Sequence, residues 1–114
     1  MVSRPSTAAV VRGEIWLVNL DPTVGSEIQK TRPCLIVSPP ELHQHLRTVI
    51  VAPLTSQGFS APFRVSLNHA GTEGLVLLDQ VRTIDKVRLV KKLGAAPASV
   101  LAAVLRALQE IFAP

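Results

Sequence analysis

Tyrosine is absent from this chain of 114 residues, and tryptophan and cysteine occur once each. Each scarcity excludes something. A single cysteine, Cys34, permits no intramolecular disulfide and no thiolate metal cluster. Inside Pro33-Cys34-Leu35-Ile36-Val37 it reads as a small buried hydrophobe. No segment approaches the roughly 20 apolar residues of a membrane span, and the first eleven residues lack the apolar stretch of a secretory signal. The chain is therefore expected to be soluble and cytoplasmic. Carboxylates are few and scattered, so paired acid/base and two-metal arrangements find no support. Phosphate-cradling glycine loops and hydrolase nucleophile motifs are missing as well.

The three histidines give little more. His43 and His45 lie two apart in a polar connection, with only Glu41 in local range as a further metal ligand, and His69 lies in a turn-like stretch. All three read as solvent-exposed loop residues, and no metal or other cofactor is expected.

What is present is a core. Hydrophobic residues make up 47% of the chain, enough for one compact domain, which is placed at 12–114 behind a loose tail at 1–11. The net charge of +4, with a pI near 10.0, permits a polyanionic partner without demanding one. Nine prolines fall largely where strands would start, stop or bend.

Branched and aromatic residues predict strands at Glu14 to Leu20, Cys34 to Ser38, Thr48 to Leu54, Leu75 to Leu78 and Leu89 to Leu93. Strict alternation predicts a half-buried strand at Phe63 to Leu67 and another at Gln80 to Ile84. Residues 41–47 suit a helical turn or a loop, and Asn68 to Gly74 reads as a turn. The period then changes: Val100, Leu101, Val104, Leu105, Leu108, Ile111 and Phe112 recur at helical spacing, with Pro97 suited to the first turn. The implied fold is mainly β, a small and strongly bent antiparallel sheet closed by one C-terminal helix.

Two polar loops remain as candidate chemistry, Gly25 to Arg32 and Thr55 to Gly58. Arg32 precedes Pro33, which forces it into extended backbone geometry. From there a planar five-donor guanidinium could meet a phosphate or its transition state. Taken alone, Arg32 reads as readily as a solvated surface arginine, and Thr55 as a hydroxyl capping a turn. By composition and spacing, this is a basic β-rich domain with a polar face and no more.

The residues as written, however, resemble a known family. Arg12-Gly13-Glu14-Ile15-Trp16, Asp21-Pro22-Thr23-Val24-Gly25-Ser26-Glu27, Arg32-Pro33, Val51-Ala52-Pro53-Leu54-Thr55-Ser56 and Leu78-Asp79-Gln80-Val81-Arg82-Thr83-Ile84-Asp85 are similar to the MazF/PemK (Kid) toxins over roughly 11–112. The resemblance implies an SH3-like barrel of bent antiparallel strands, a homodimer, and metal-independent, sequence-selective cleavage of single-stranded RNA. It implies that Arg32 stabilises the phosphorane charge and protonates the leaving oxygen, and that Thr55 contacts the scissile phosphate. Ser26, Glu27, Ser56, Gln80 and Arg82 would line the RNA groove, and Phe59 is the best candidate for stacking a base. The implied partner is a cognate antitoxin with an acidic tail. A second reading, a CcdB-like toxin of the same fold, would poison DNA gyrase and cut nothing.

Overall fold

The computed structural model of the protein describes residues 10–114. Its elements run β1 (Glu14–Asn19), β2 (Thr31–Ile36), α1 (Pro40–His45), β3 (Thr48–Thr55), β4 (Arg64–His69), β5 (Thr72–Leu77), β6 (Arg82–Asp85), β7 (Leu89–Ala95) and α2 (Ala98–Ile111). One-turn 3₁₀ helices occupy Leu78–Gln80 and Lys86–Arg88. The sheet order is β4-β5-β3-β2-β1-β7, with β6 pairing to β3, and every pairing is antiparallel. Two register shifts in β1 against β7 help the sheet curl.

Both faces of the central strands are covered, which is why their sequences read as continuous apolar runs rather than alternating ones. Trp16, Val18, Cys34, Ile36, Val51 and Ile84 pack into one cluster. The intervening Ile15, Leu35, Ala52, Leu54 and Val76 pack into a second, under α2. From α2 the fully buried Val104 enters that cluster, with Val100, Ala107, Leu108 and Ile111 around it at helical spacing. Leu35 is fully buried, and Leu35→Ala would cost about 2–5 kcal/mol. Gly13, at φ +93, leaves the room that α2 uses: a Cβ there would come within 3.0 Å of Leu101 Cδ2.

The elements differ from expectation in instructive places. Strand β2 begins at Thr31, so Arg32 and Pro33 lie within it, and Val37 and Ser38 lie beyond it. The expected turn over Asn68 to Gly74 shrinks to Ala70-Gly71. Both residues have positive φ, the backbone a two-residue hairpin requires, so β4 and β5 extend inward on either side. Pro97 caps α2 instead of standing in its first turn, and Phe112 falls past its end with 75% of its surface exposed. Residues 1–9 of the expected tail lie outside the described residues; Val10 is buried against the core. Among the described residues no helix is long and apolar enough to cross a membrane.

The largest correction concerns His43, expected in solvent and found only 5% exposed. Helix α1 turns it inward, where Nε2 bonds the buried Ser38 hydroxyl and Nδ1 faces the Val10 carbonyl at 3.3 Å. Ser38 in turn accepts the Ile50 N–H at 2.9 Å, and buried Lys86 donates to the His43 carbonyl. Burial holds the imidazole below its usual titration range, since the charged form would lose its hydration there. His45 is exposed, as expected.

Candidate functional site

Arg32 and Thr55 sit at neighbouring strand ends. The β2–β3 ladder aligns Cys34 with Pro53. Continued two residues along each strand, that register would bring Arg32 opposite Thr55 on the face of Cys34, and both line one cleft. Arg82 shares that face through its cross-strand partner Val51. Burial pushes the Cys34 thiol up to about 12, while the charges of Arg82 and Arg32 act against that rise. The buried Cys34 S–H points at the Arg32 carbonyl 3.6 Å away. Cys34 is the small buried hydrophobe its sequence context suggested.

The Arg32 side chain is partly buried and anchored at its base, where Nε donates to the Gln29 carbonyl at 3.0 Å. Among the described residues its terminal nitrogens engage no acceptor, so the two-pronged end of the fork is available. Thr55 does cap a turn: its hydroxyl oxygen accepts the Gln57 N–H at 3.1 Å. Among the described residues no acceptor takes its own proton, which can be donated. Strand β5 presses close here because Gly74 has no side chain; a Cβ would meet the Thr55 carbonyl at 2.9 Å.

The loop between β1 and β2 overhangs this face, and the expected groove residues largely hold it in place. Gln80 Oε1 accepts the Ile28 N–H at 2.7 Å, and Arg82 Nη1 donates to the Leu20 carbonyl at 3.2 Å. Within the loop, Glu27 Oε1 accepts the Val24 N–H at 2.7 Å and Asp21 Oδ1 accepts the Lys30 N–H at 2.9 Å. Arg88 Nη1 clasps the Asn19 and Asp21 carbonyls from the other side. The Asp21–Pro22 bond is cis. Ser26 is exposed at the loop tip.

The seven expected residues sort into two clefts. Ser26, Glu27, Gln80 and Arg82, with Ile28 and Asp79, line one of about 570 Å³. Arg32, Thr55 and Ser56 line another of about 280 Å³, which His69 and Glu73 share. His69 closes β4 and is half-buried rather than fully exposed in a turn. Its two-residue spacing from the buried Leu67 could have revealed it, had the strand been carried past Leu67. Asp79 was also missed. Its carboxylate takes two parallel hydrogen bonds of 3.1 Å from Arg64, which hold it below the usual carboxylate range. Nothing local in the sequence announces that pair. Among the described residues no three His, Cys, Asp or Glu side chains come together as a metal site would require.

A curled antiparallel sheet with one C-terminal helix, carrying two clefts each lined by an arginine, defines a small half-barrel protein. Comparison with known proteins makes this specific. The family model described as PemK-like, MazF-like toxin of type II toxin-antitoxin system matches residues 11–112. Endoribonuclease PemK of Escherichia coli is 48% identical over 106 residues, covering 88% of this chain and 80% of its own length. Endoribonuclease EndoA of Bacillus subtilis is 38% identical over 90 residues, covering 74% and 78%. The crystal structure of MazF (Form-I) from Deinococcus radiodurans superposes with a TM-score of 0.80 at 34% identity, covering 90% of this chain and 94% of that one. The chain belongs to the PemK-like, MazF-like toxin family of type II toxin–antitoxin systems.

Proposed function

We propose that this protein is the toxin of a type II pair and a metal-independent, sequence-selective endoribonuclease cutting single-stranded RNA, formed by residues 12–114 as one domain. The observation that carries the reading is that Arg32 and Thr55 line one cleft, in a chain whose relatives are named endoribonucleases. In the reaction the ribose 2′-hydroxyl loses its proton and its oxygen bonds to the neighbouring phosphorus. The P–O5′ bond then breaks, and the departing oxygen takes up a proton. The products are a 2′,3′-cyclic phosphate and a 5′-hydroxyl.

Charge grows on the phosphorane oxygens during this step, and the free prongs of Arg32 suit that charge. Thr55 donates its hydroxyl proton to a phosphate oxygen. A delocalised guanidinium gives up a proton reluctantly, so Arg32 acts chiefly through its charge. Ser26, Glu27 and Ser56 contact RNA from exposed positions. Gln80 and Arg82 already serve the loop, and they contribute to binding by fixing it. Base identity is read on splayed single-stranded bases.

The toxin works as a cytoplasmic homodimer, and the acidic segment of a cognate antitoxin, suited to a chain of net charge +4, covers the RNA groove. A gyrase poison would have no use for the Arg32–Thr55 arrangement, and the named relatives give that reading no support. The test is to incubate purified protein with a long mixed-sequence RNA and map the cut ends. Cyclic phosphate ends that persist in EDTA are expected. Cleavage lost in EDTA and restored by magnesium or manganese would overturn the metal-independent mechanism, and intact RNA would overturn the ribonuclease itself.

A further inference from the structure

The loop after Thr55 carries Phe59, whose surface is 69% exposed. Single exposed apolar side chains are ordinary. This one differs because one face of its ring is already occupied: the Arg64 guanidinium carbon lies 4.6 Å from the ring centroid. That guanidinium is itself fixed. Its Nε and Nη2 bind the two oxygens of Asp79, and its Nη1 donates to the Phe59 carbonyl at 3.4 Å. The arginine side chain is only 15% exposed. With its charge committed to Asp79, Arg64 is poorly placed to capture a phosphate, but it is well placed to hold a ring.

The assembly stands beside Thr55. Gly58 separates the two, and a Cβ there would meet Arg64 Nη1 at 3.6 Å and Thr55 Cγ2 at 3.8 Å. Asp79 also belongs to the 3₁₀ turn whose Gln80 ties down the β1–β2 loop, and it lines the larger cleft. The anchor of the ring thus bonds a residue of the larger cleft and stands near Thr55 of the smaller. Its uncovered face is held ready, so a planar ligand need not order the loop on binding.

We infer that Phe59, held from behind by Arg64, is a preformed stacking platform for one nucleobase of the RNA, next to the scissile phosphate. The inference rests on the ribonuclease reading and deepens it. An arginine–phenylalanine–base sandwich combines cation–π attraction on one face with base stacking on the other. Phe59 is then a determinant of substrate binding and cut-site choice. It takes no part in moving protons.

Two measurements test it. In the first, Phe59→Ala is expected to raise KM about tenfold or more with kcat little changed. It should broaden the set of bases tolerated near the cut, and leave the salt dependence of binding unaltered, because stacking releases no counterions. Phe59→Trp should restore the wild-type behaviour, and Phe59→Leu, apolar but without an aromatic face, should not. An unchanged KM and cut-site profile in Phe59→Ala would overturn the platform.

In the second, the indole fluorescence of the Phe59→Trp variant is followed on adding a single-stranded oligonucleotide with 2′-O-methyl groups, which cannot be cut. Trp16 gives a steady background, being only 6% exposed. Quenching of the introduced indole is expected as a base stacks on it. Binding seen by anisotropy with no change in that emission would overturn the platform while leaving the ribonuclease standing. Quenching by the oligonucleotide from a protein that cuts no RNA would retain the platform and overturn the enzyme. Absence of any binding would overturn both.

Discussion

The Ile28 N–H and the Gln80 side-chain oxygen meet at 2.7 Å across 52 residues of sequence, joining the β1–β2 loop to the 3₁₀ turn that precedes β6. This bond makes the larger cleft a shaped surface instead of a gap beneath a free loop. It also gives Gln80 a role that differs from touching RNA.

If Gln80 acts by fixing the loop, Gln80→Ala should lower kcat/KM and expose the backbone amide of Ile28 to faster hydrogen exchange. Gln80→Glu retains an acceptor oxygen and should keep that amide protected. A Gln80→Ala variant with slow exchange at Ile28 and weakened RNA binding would show direct contact to be the main role.

Arg32→Ala should slow cleavage about a hundred- to thousandfold while weakening RNA binding far less, because its contact strengthens as charge develops. Arg32→Lys should recover little, since a point charge cannot reproduce two parallel donors. Thr55→Ala should be clearly impaired, and Thr55→Ser should keep much of the rate because it keeps the hydroxyl. Single-turnover kinetics separate these effects from binding. Growth inhibition that survives both Arg32→Ala and Thr55→Ala, with cellular RNA intact, would favour a protein target.

His43 predicts an acid-sensitive fold. Burial lowers its folded pKa below the ordinary 6.5; the Val10 carbonyl opposes that shift, Lys86 and Arg12 add to it, and Glu14 opposes it. Below pH 6.5 the unfolded chain takes up a proton that the folded chain refuses, so stability is full above that pH and declines beneath it. Urea midpoints should fall between about pH 7.5 and about pH 5. His43→Gln should be less stable at the upper end of that range and should show a shallower fall. Equal slopes for the two proteins would remove His43 as the cause.

Glu14 governs a lower window. It accepts the Val11 N–H at 2.8 Å and the Trp16 indole N–H at 3.0 Å, and it pairs with Lys92 at 2.8 Å. Burial raises its pKa, but the bonds from Lys92, Trp16 and Val11 outweigh burial and leave it lowered. Its contribution is complete above the usual value of 4.5 and disappears as pH falls through the lowered one. Glu14→Ala orphans two donors and should cost about 1–3 kcal/mol, seen in Trp16 fluorescence unfolding curves. Lys92→Ala, truncating a half-exposed partner, should cost under about 1 kcal/mol.

Burial writes periodicity and apolar runs into neighbouring residues, so the strand-rich class, the closing helix and the buried character of Cys34 are legible along the chain. The family signature marked Arg32 and Thr55, although their place in one cleft depends on the β2–β3 register. The remaining features arise from contacts between distant segments. Only packing turned His43 inward to meet Ser38 and the Val10 carbonyl, where a polar local context had suggested solvent. Only the curl of the sheet brought Arg64 to Asp79, 15 residues away, and divided the expected groove residues between two clefts. The physical reason is one of range. Periodicity records which face of a strand is buried, but a side chain's partner depends on register, bulges and twist accumulated over the whole sheet.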